Sequence, residues 1–280
     1  MFAHTTALWF VDCPDPAEQL RRGPVADPDR TDAFIATAYA DDVPSASALT
    51  DLSALSDAAD DVVFAAHFGD LAVLAGKSLS TVAPDELTEF VTGLGFGQTV
   101  LLLSLDPVAS TGVFARWENG RLQRAFAASP DTIRADHGVP FPFENGFWAG
   151  ERPLQYLPGV EPNPLDLPFH PAELAEESNR QWLGFRFTPP PGDDDTALTS
   201  IPVYSYRILS AGSESVPAAD AEPVAPPPAE AAAAGPSRPA DDLDDAEVTT
   251  PLARASESAP EPTPRAPGPI SRYFGFRGRL

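Results

Sequence analysis

Hydrophobic residues in the first hundred positions occur in short runs that turn-forming residues separate. The runs are five to seven residues long and cover residues 6–11, 62–68, 71–75 and 99–105. Runs of this length with turn residues at their ends are typical of buried strands. Gly69-Asp70 lies between two of the runs and predicts a β-hairpin.

Four other segments have features of helices. Apolar residues recur at every third or fourth position between 84 and 94, and Gly95 follows. This pattern predicts an amphipathic helix with a glycine after its last turn. A second clear helix is predicted at 171–183, and residues 17–22 and 28–39 also favour helix.

The clearest hairpin has Asn119-Gly120 at its centre, the preferred pair for a two-residue type I′ turn. A turn at this place sets Trp117 opposite Leu122. Four residues further from the turn on each strand, it sets Val113 opposite Phe126. We expect these side chains to share the face that packs on the core.

The order of the elements predicts the fold class. Residues 129–167 are rich in proline, glycine and aromatic residues, so we expect an ordered but irregular excursion there, and residues 201–209 alternate like a last strand. Because hairpins follow one another, we predict an α+β fold: a single domain over residues 1–209 with a mainly antiparallel sheet and about three to four helices. A parallel, doubly wound sheet is the alternative.

The composition changes after residue 209. No aromatic residue occurs between Ala211 and Pro269, and such a segment buries too little apolar surface to offset its chain entropy. We therefore predict a disordered Pro/Ala/acidic linker over 210–269. Residues 270–280 differ again, with three arginines, three aromatic residues and no acid. We predict that this basic-aromatic peptide binds a protein partner of unknown identity through Arg272, Tyr273, Phe274, Phe276, Arg277 and Arg279.

Charge and cysteine content narrow the classes of function. The net charge of −23 repels phosphate backbones, so we expect no nucleic acid partner. The apolar runs are too short to span a bilayer, and the N-terminus lacks the regions of a signal peptide. Cys13 is the only cysteine, so no intramolecular disulfide can form. These features predict a cytoplasmic protein without a transmembrane segment.

Familiar catalytic motifs do not occur in the sequence, which has no P-loop, nucleophile elbow, HExxH or cysteine pair. The glycines between Gly93 and Gly97 follow a predicted helix, whereas a dinucleotide loop precedes one. His67 and Asp70 bracket a tight turn, and we interpret them as polar hairpin positions rather than metal ligands. We predict no metal site, and any cofactor is unknown.

Four residues are candidates for catalysis: His170, Glu173, Glu151 and Asp12. His170 and Glu173 lie at a predicted helix start, and Glu151 follows an aromatic loop, so a histidine and two carboxylates are candidates for one cleft. Asp12 ends the first strand, where enzymes often place a carboxylate. The structural alternatives are His170 as N-cap, Glu173 reaching back to that cap, and Asp12 as a turn residue.

Several segments taken together resemble a known family. They are residues 5–12, Phe114–Leu122, Phe147–Glu151 and Leu167–Phe185. Over about residues 5–187 they resemble a family of actinobacterial proteins that is defined as a domain of unknown function. The resemblance implies a cytoplasmic bacterial protein with one domain, and it implies no activity and no catalytic residue.

Two functions fit the sequence. The first is a binding or interaction module whose tail presents the 270–280 peptide, because the sequence contains no strong catalytic constellation. The alternative is a small hydrolase- or transferase-like enzyme with a His/carboxylate site near His170. Convergence of Asp12, Glu151, His170 and Glu173 within hydrogen-bond reach would favour the enzyme.

Overall fold

The computed structural model describes residues 4–40, 42–155 and 163–210. The linker predicted at 210–269, apart from Ser210, and the peptide predicted at 270–280 lie outside these residues and stay predictions. The described ranges contain one sheet and the helices that pack on it.

Nine strands form one antiparallel sheet in the described part of the chain. They are β1 (Thr5–Val11), β2 (Asp42–Asp51), β3 (Val62–His67), β4 (Leu71–Gly76), β5 (Thr99–Asp106), β6 (Thr111–Glu118), β7 (Arg121–Ser129), β8 (Thr132–His137) and β9 (Pro202–Ser210). Their order is β2-β9-β3-β4-β1-β5-β6-β7-β8, and all neighbours are antiparallel. The predicted antiparallel sheet is confirmed, and the parallel, doubly wound alternative is wrong.

Five α-helices accompany the sheet within the same ranges. They are α1 (Pro16–Arg21), α2 (Pro28–Ala38), α3 (Thr88–Gly93), α4 (Asn145–Trp148) and α5 (Pro171–Leu183). Four of them have six or more residues, which agrees with the prediction of about three to four helices. Short 3₁₀ turns occur at Leu52–Asp57, Lys77–Leu79, Pro84–Leu87, Pro142–Glu144 and Leu198–Ser200. The helix predicted at 84–94 thus begins as a 3₁₀ turn.

Helices cover both faces of the sheet, and this explains the continuous apolar strands. On β1, Trp9 faces the side that α1 and α5 cover, whereas Phe10 faces the side that α2 and α3 cover. Phe10 packs edge-on against Phe34 of α2, with 5.3 Å between ring centroids. A strand that is buried on both faces needs apolar side chains at successive positions, so it shows no alternation.

The hairpin at Asn119-Gly120 has the predicted turn but a different register further away. Both turn residues have positive φ, 50° and 73°, as a type I′ turn requires, and Trp117 has its predicted partner. An extra residue in β7 then shifts the register, so that Phe126 pairs with Phe114. The predicted pair of Val113 with Phe126 is wrong, because a bulge of one residue turns the following side chains to the opposite face.

The two edge strands, β2 and β8, have no counterpart in the sequence prediction. An edge strand has one unpaired side and little to bury, so it carries polar and charged residues. β8 exposes Arg134 and Asp136, and β2 contains Pro44, which suits only an edge. The irregular excursion expected for 129–167 therefore begins only after β8.

Candidate functional site

The start of α5 is built around His170, which is the N-cap. Its Nδ1 accepts a hydrogen bond from the backbone N–H of Ala172 at 3.2 Å, and Pro171 occupies the first helical turn. At the other end, Gly184 terminates the helix with a φ of 74°. The N-cap interpretation is confirmed, because the ring nitrogen satisfies one of the N–H groups that a helix start leaves unpaired.

A cleft opens beside this helix start, and three of the four candidate residues line it. Glu151, His170 and Glu173 form its wall together with residues 152–155. Its volume is about 460 Å³, which is enough for a small molecule or a few residues of a peptide. The structure thus brings the histidine and two of the carboxylates to one place.

The imidazole of His170 is half-buried, and this environment favours its neutral form. Burial lowers the pKa of His170, and the carboxylate of Glu173 opposes this shift in part. Since Nδ1 accepts the hydrogen bond of the cap, the proton of the neutral ring lies on Nε2. The ring is therefore a hydrogen-bond donor, and its lone pair is already used within the helix.

Glu173 is held by an arginine. Its Oε2 accepts a hydrogen bond from Nη2 of Arg186 at 2.9 Å. A guanidinium is a charge-assisted donor, so this ion pair fixes the carboxylate beside the start of α5. The reach of Glu173 back to the N-cap stays a prediction.

Glu151 and Arg152 form another part of the wall. The backbone N–H of Glu151 donates to the carbonyl of Gly146 at 2.9 Å. Arg152 lies 4.8 Å from the ring centroid of Phe147 and pairs with Glu177 of α5 at 3.3 Å. This contact ties the wall to α5. The sequence analysis did not predict the pair of Arg152 and Glu177. Glu177 lies on the buried face of α5, where a charged residue follows no recognisable pattern.

Asp12, the fourth candidate, lies at the other end of the sheet. Its Oδ1 accepts a hydrogen bond from the backbone N–H of Gln98 at 2.6 Å, next to the start of β5. His170 instead lies beside Asp106, at the end of β5. β5 has eight residues, so its ends are about 24 Å apart at about 3.4 Å per residue. Asp12 thus ties two turns together and does not converge with the cleft.

His67 and Asp70 also lie away from the cleft, at the β3–β4 hairpin. Burial, and to a lesser degree the charge of Arg30, lowers the pKa of His67. Across residues 4–40, 42–155 and 163–210, no group of three or more His, Cys, Asp or Glu side chains is arranged to hold a metal ion.

Comparison with known families places the chain. A family of unknown function, DUF6928, matches residues 5–206. The chain belongs to the DUF6928 family. The predicted resemblance to a domain of unknown function is confirmed, and the match extends it into β9. No curated protein and no solved structure matches the chain. Among the described residues, no helix has the length and apolar character to cross a bilayer.

Buried ion pairs in the DUF6928 domain hold the segment that leads to the cleft. Arg124 of β7 is fully buried and donates to both carboxylate oxygens of Glu144, at 2.9 and 2.7 Å. It also pairs with Asp136 of β8. Glu144 in turn accepts the backbone N–H of Phe141 at 2.8 Å. Since α4 begins at the next residue, this network fixes the path of the chain towards Glu151.

Proposed function

We propose that the DUF6928 domain of this chain is a binding module whose cleft receives a short segment of a protein partner. The observation that supports it best is the use of His170, whose Nδ1 lone pair holds the start of α5. A general base needs its lone pair aimed at a substrate. The nearby carboxylate of Glu173 is likewise paired, with Arg186. Groups that are fixed in this way suit recognition better than proton transfer.

The wall of the cleft suits a basic and apolar peptide. Leu154 and the proline before it contribute apolar surface, and Glu151 and Glu173 contribute carboxylates. Arg152 offsets part of this negative charge, although its guanidinium is already paired. The surroundings are acidic as well, because residues 1–209 contain 30 acidic and 12 basic residues, a net charge of −18. Such a surface attracts positive segments.

The chain itself contains a segment of this composition at residues 270–280. Its three arginines give a charge of +3, and its three aromatic residues are apolar anchors. We propose that this segment recognises acidic surfaces, including the cleft of a DUF6928 domain in a second copy of the chain.

Fluorescence anisotropy with a labelled synthetic peptide of residues 270–280 tests this proposal. The chain shortened to end at Pro269 should bind the peptide saturably. Raising NaCl from about 50 mM to about 500 mM should weaken binding, because the attraction is between charges. Glu151→Lys should weaken binding about fivefold, which corresponds to about 1 kcal/mol for one surface charge pair.

Glu86→Lys is the matched control for this experiment. Glu86 is exposed and lies in the 3₁₀ turn before α3, on the face of the sheet opposite α5. The substitution makes the same change in net charge and should alter the Kd less than about twofold. Equal weakening by both variants would contradict the cleft as the receiver. No saturable binding up to about 1 mM peptide would contradict the proposal as a whole.

A hydrolase- or transferase-like enzyme is the second candidate, because Glu151, His170 and Glu173 line one cleft. His170→Asn separates the two functions, since Asn caps helices well. A binding module should keep its fold and still bind the peptide saturably, whereas an enzyme would lose the imidazole that its chemistry needs. Turnover of 4-nitrophenyl acetate by the wild type and not by His170→Asn would favour the enzyme.

We also propose that the protein is cytoplasmic, that it comes from an actinobacterium and that it does not bind nucleic acid. A cytoplasmic location rests on the single cysteine, Cys13, and an actinobacterial origin rests on the resemblance of the sequence segments. The exclusion of nucleic acid rests on the net charge of −23. Fractionation and antibody detection in the source cells would test the location.

A further inference from the structure

We propose that the DUF6928 domain has a second ligand site, a pocket that binds a small monocarboxylate through Arg116. The pocket has a volume of about 370 Å³ and lies over β1, β5 and β6. Its floor includes Thr99, Leu101 and Arg116, and its walls are residues 13–17 and the side chains of Gln181 and Trp182 in the last turn of α5. It shares no residue with the cleft at the start of α5, so it does not depend on the proposed function.

Arg116 is held in a fixed orientation on the pocket floor. Its guanidinium carbon is 5.5 Å from the ring centroid of Phe141 and 6.0 Å from that of Trp182. Nε and Nη2 both contact Oε1 of Glu118, at 3.0 and 2.8 Å. Aromatic rings and a carboxylate together fix the plane of the guanidinium. A donor that is already ordered loses little conformational entropy when a ligand binds.

Glu118 uses the Nε/Nη2 edge of the Arg116 guanidinium, which leaves the Nη1/Nη2 edge for a ligand. Among the residues that the structure describes, no acceptor takes the protons of Nη1. Arg124 is the cross-strand neighbour of Arg116 and differs from it. Nη1 of Arg124 donates to the carbonyls of Ala125 and His137. Nε and Nη2 of Arg124 donate to Glu144. Arg124 is fully buried, whereas the side chain of Arg116 is 26% exposed. Of these two arginines, Arg116 is the one that lines a pocket and whose Nη1 has no acceptor among the described residues.

The surroundings of Arg116 favour an anion with a single charge. A carboxylate is planar, and it can match the edge formed by Nη1 and the second proton of Nη2 with two parallel hydrogen bonds. Glu118 beside the guanidinium and Asp15 in the wall oppose a second negative charge, which disfavours a phosphate dianion. Trp182 and Leu101 offer apolar surface for the rest of the ligand. Gln181 uses its Nε2 within α5, so its Oε1 is the acceptor for a hydroxyl or amino group.

Phenylacetate and phenylacetamide are a matched pair of probes for the full-length protein, because they share a shape and differ in charge. At about ten times its Kd, phenylacetate should raise the thermal unfolding midpoint by about 3–5 °C. Phenylacetamide should raise it by less than about 1 °C, since it offers no charge to Arg116. Phenyl phosphate should bind more weakly than phenylacetate.

Cys13 localises the binding, because it lines the pocket and is the only cysteine in the chain. Burial, with smaller effects of Asp70 and Asp15, raises the pKa of its thiol, so labelling is best followed at about pH 8.5. Phenylacetate should slow alkylation by iodoacetamide at least about threefold at saturation, and phenylacetamide should not. This readout needs no variant and therefore does not depend on the folding of a mutant.

Arg116→Gln should abolish both the thermal shift and the protection of Cys13. Arg116→Lys should restore only part of them, because lysine keeps the charge and loses the planar pair of donors. Arg121→Gln is the control, since Arg121 is exposed on β7 and does not line the pocket. Equal effects of the acid and the amide would overturn the proposal. So would a wild-type response of a folded Arg116→Gln variant, or tighter binding of phenyl phosphate than of phenylacetate.

Discussion

Arg116 and Arg124 face each other across β6 and β7, yet their guanidinium groups have different surroundings. Arg124 has no exposed surface, and Glu144, which takes two of its hydrogen bonds, has none either. A buried charge is very costly unless a partner compensates for it. Arg124 therefore compensates the buried charge of Glu144, and Glu144 compensates that of Arg124.

Arg124→Met should lower the free energy of unfolding by about 3–5 kcal/mol, because it leaves the carboxylate of Glu144 buried without its partner. Urea denaturation followed by circular dichroism measures the change. Arg134→Met, at an exposed position of β8, is the control and should change the free energy by less than about 0.5 kcal/mol. A loss below about 1 kcal/mol for Arg124→Met would contradict the role of the pair.

His170 should make the stability of the domain depend on pH. Burial lowers the pKa of His170 in the folded state, so the unfolded chain binds the proton more readily. The stabilisation by the neutral ring is complete above the ordinary pKa of about 6.5. It decreases as the pH falls below this value and is lost once the pH passes the folded-state pKa. Protonation of Nδ1 would also remove the acceptor of the cap.

Urea denaturation of the wild type and His170→Asn between about pH 8 and pH 5 measures this effect. The wild type should lose stability relative to His170→Asn as the pH falls, since Asn does not titrate. His67, whose pKa is also lowered, is present in both proteins and cancels in the difference. A difference that stays constant over this range would show that His170 does not titrate with folding.

At the scale of elements, the start of α5 lies directly on β6. A Cβ atom at Gly112 would be 2.2 Å from the carbonyl oxygen of Pro171 and 2.5 Å from the backbone nitrogen of Ala172. Only glycine allows a backbone to approach a strand this closely. The contact sets the height of the helix start above the sheet, and thus the position of His170 in the cleft.

Gly112→Ala should destabilise the domain by about 1–3 kcal/mol, because the helix start must move to admit the methyl group. It should also shift the NMR signals of the His170 ring. Gly93→Ala is the control, since a Cβ there would have no atom within 4 Å in its surroundings. Gly93 ends α3, and alanine at a helical position should be neutral or stabilising by up to about 1 kcal/mol. Similar effects of the two substitutions would contradict the close approach at Gly112.

The apolar pattern predicts the elements that are buried on both faces, and it fails where burial ends. β1, β3, β4 and β5 are visible as continuous apolar runs because helices cover both sides of the sheet. β2 and β8 are edges with polar residues, so they resemble loops in sequence. The bulge in β7 is also invisible, since no local pattern shows where a strand accommodates an extra residue.

The candidate site is predictable only where it is local in sequence. His170 and Glu173 belong to one helix start, whose proline and cap residue have a known signature. Glu173 and Arg186 are 13 positions apart in the sequence, and Arg152 and Glu177 are 25 positions apart. Contacts between residues so far apart leave no periodic signal in the sequence. Asp12 fails as a cleft residue because a position at a strand end does not show which end of the sheet it occupies.

At the scale of the whole molecule, negative charge far exceeds positive charge. Residues 1–209 contain 30 acidic and 12 basic residues, and the full chain has a net charge of −23. Unfolding moves like charges apart, so their repulsion destabilises the compact state. Exposed ion pairs such as Arg22 with Glu18 offset little of this, because each contributes about 1 kcal/mol or less.

The full chain should therefore become more stable as the ionic strength rises from about 10 mM to about 150 mM, because the Debye length falls from about 30 Å to about 8 Å. Repulsion between carboxylates on separate parts of the surface is then screened, whereas the buried pair of Arg124 and Glu144 is affected much less. Urea denaturation in NaCl and in KCl should give the same rise, since screening does not depend on the identity of the cation. The double variant Glu86→Gln/Glu89→Gln, which removes two exposed charges, should show a smaller rise. A free energy of unfolding that falls with salt would mean that surface ion pairs outweigh the repulsion among the unpaired acids.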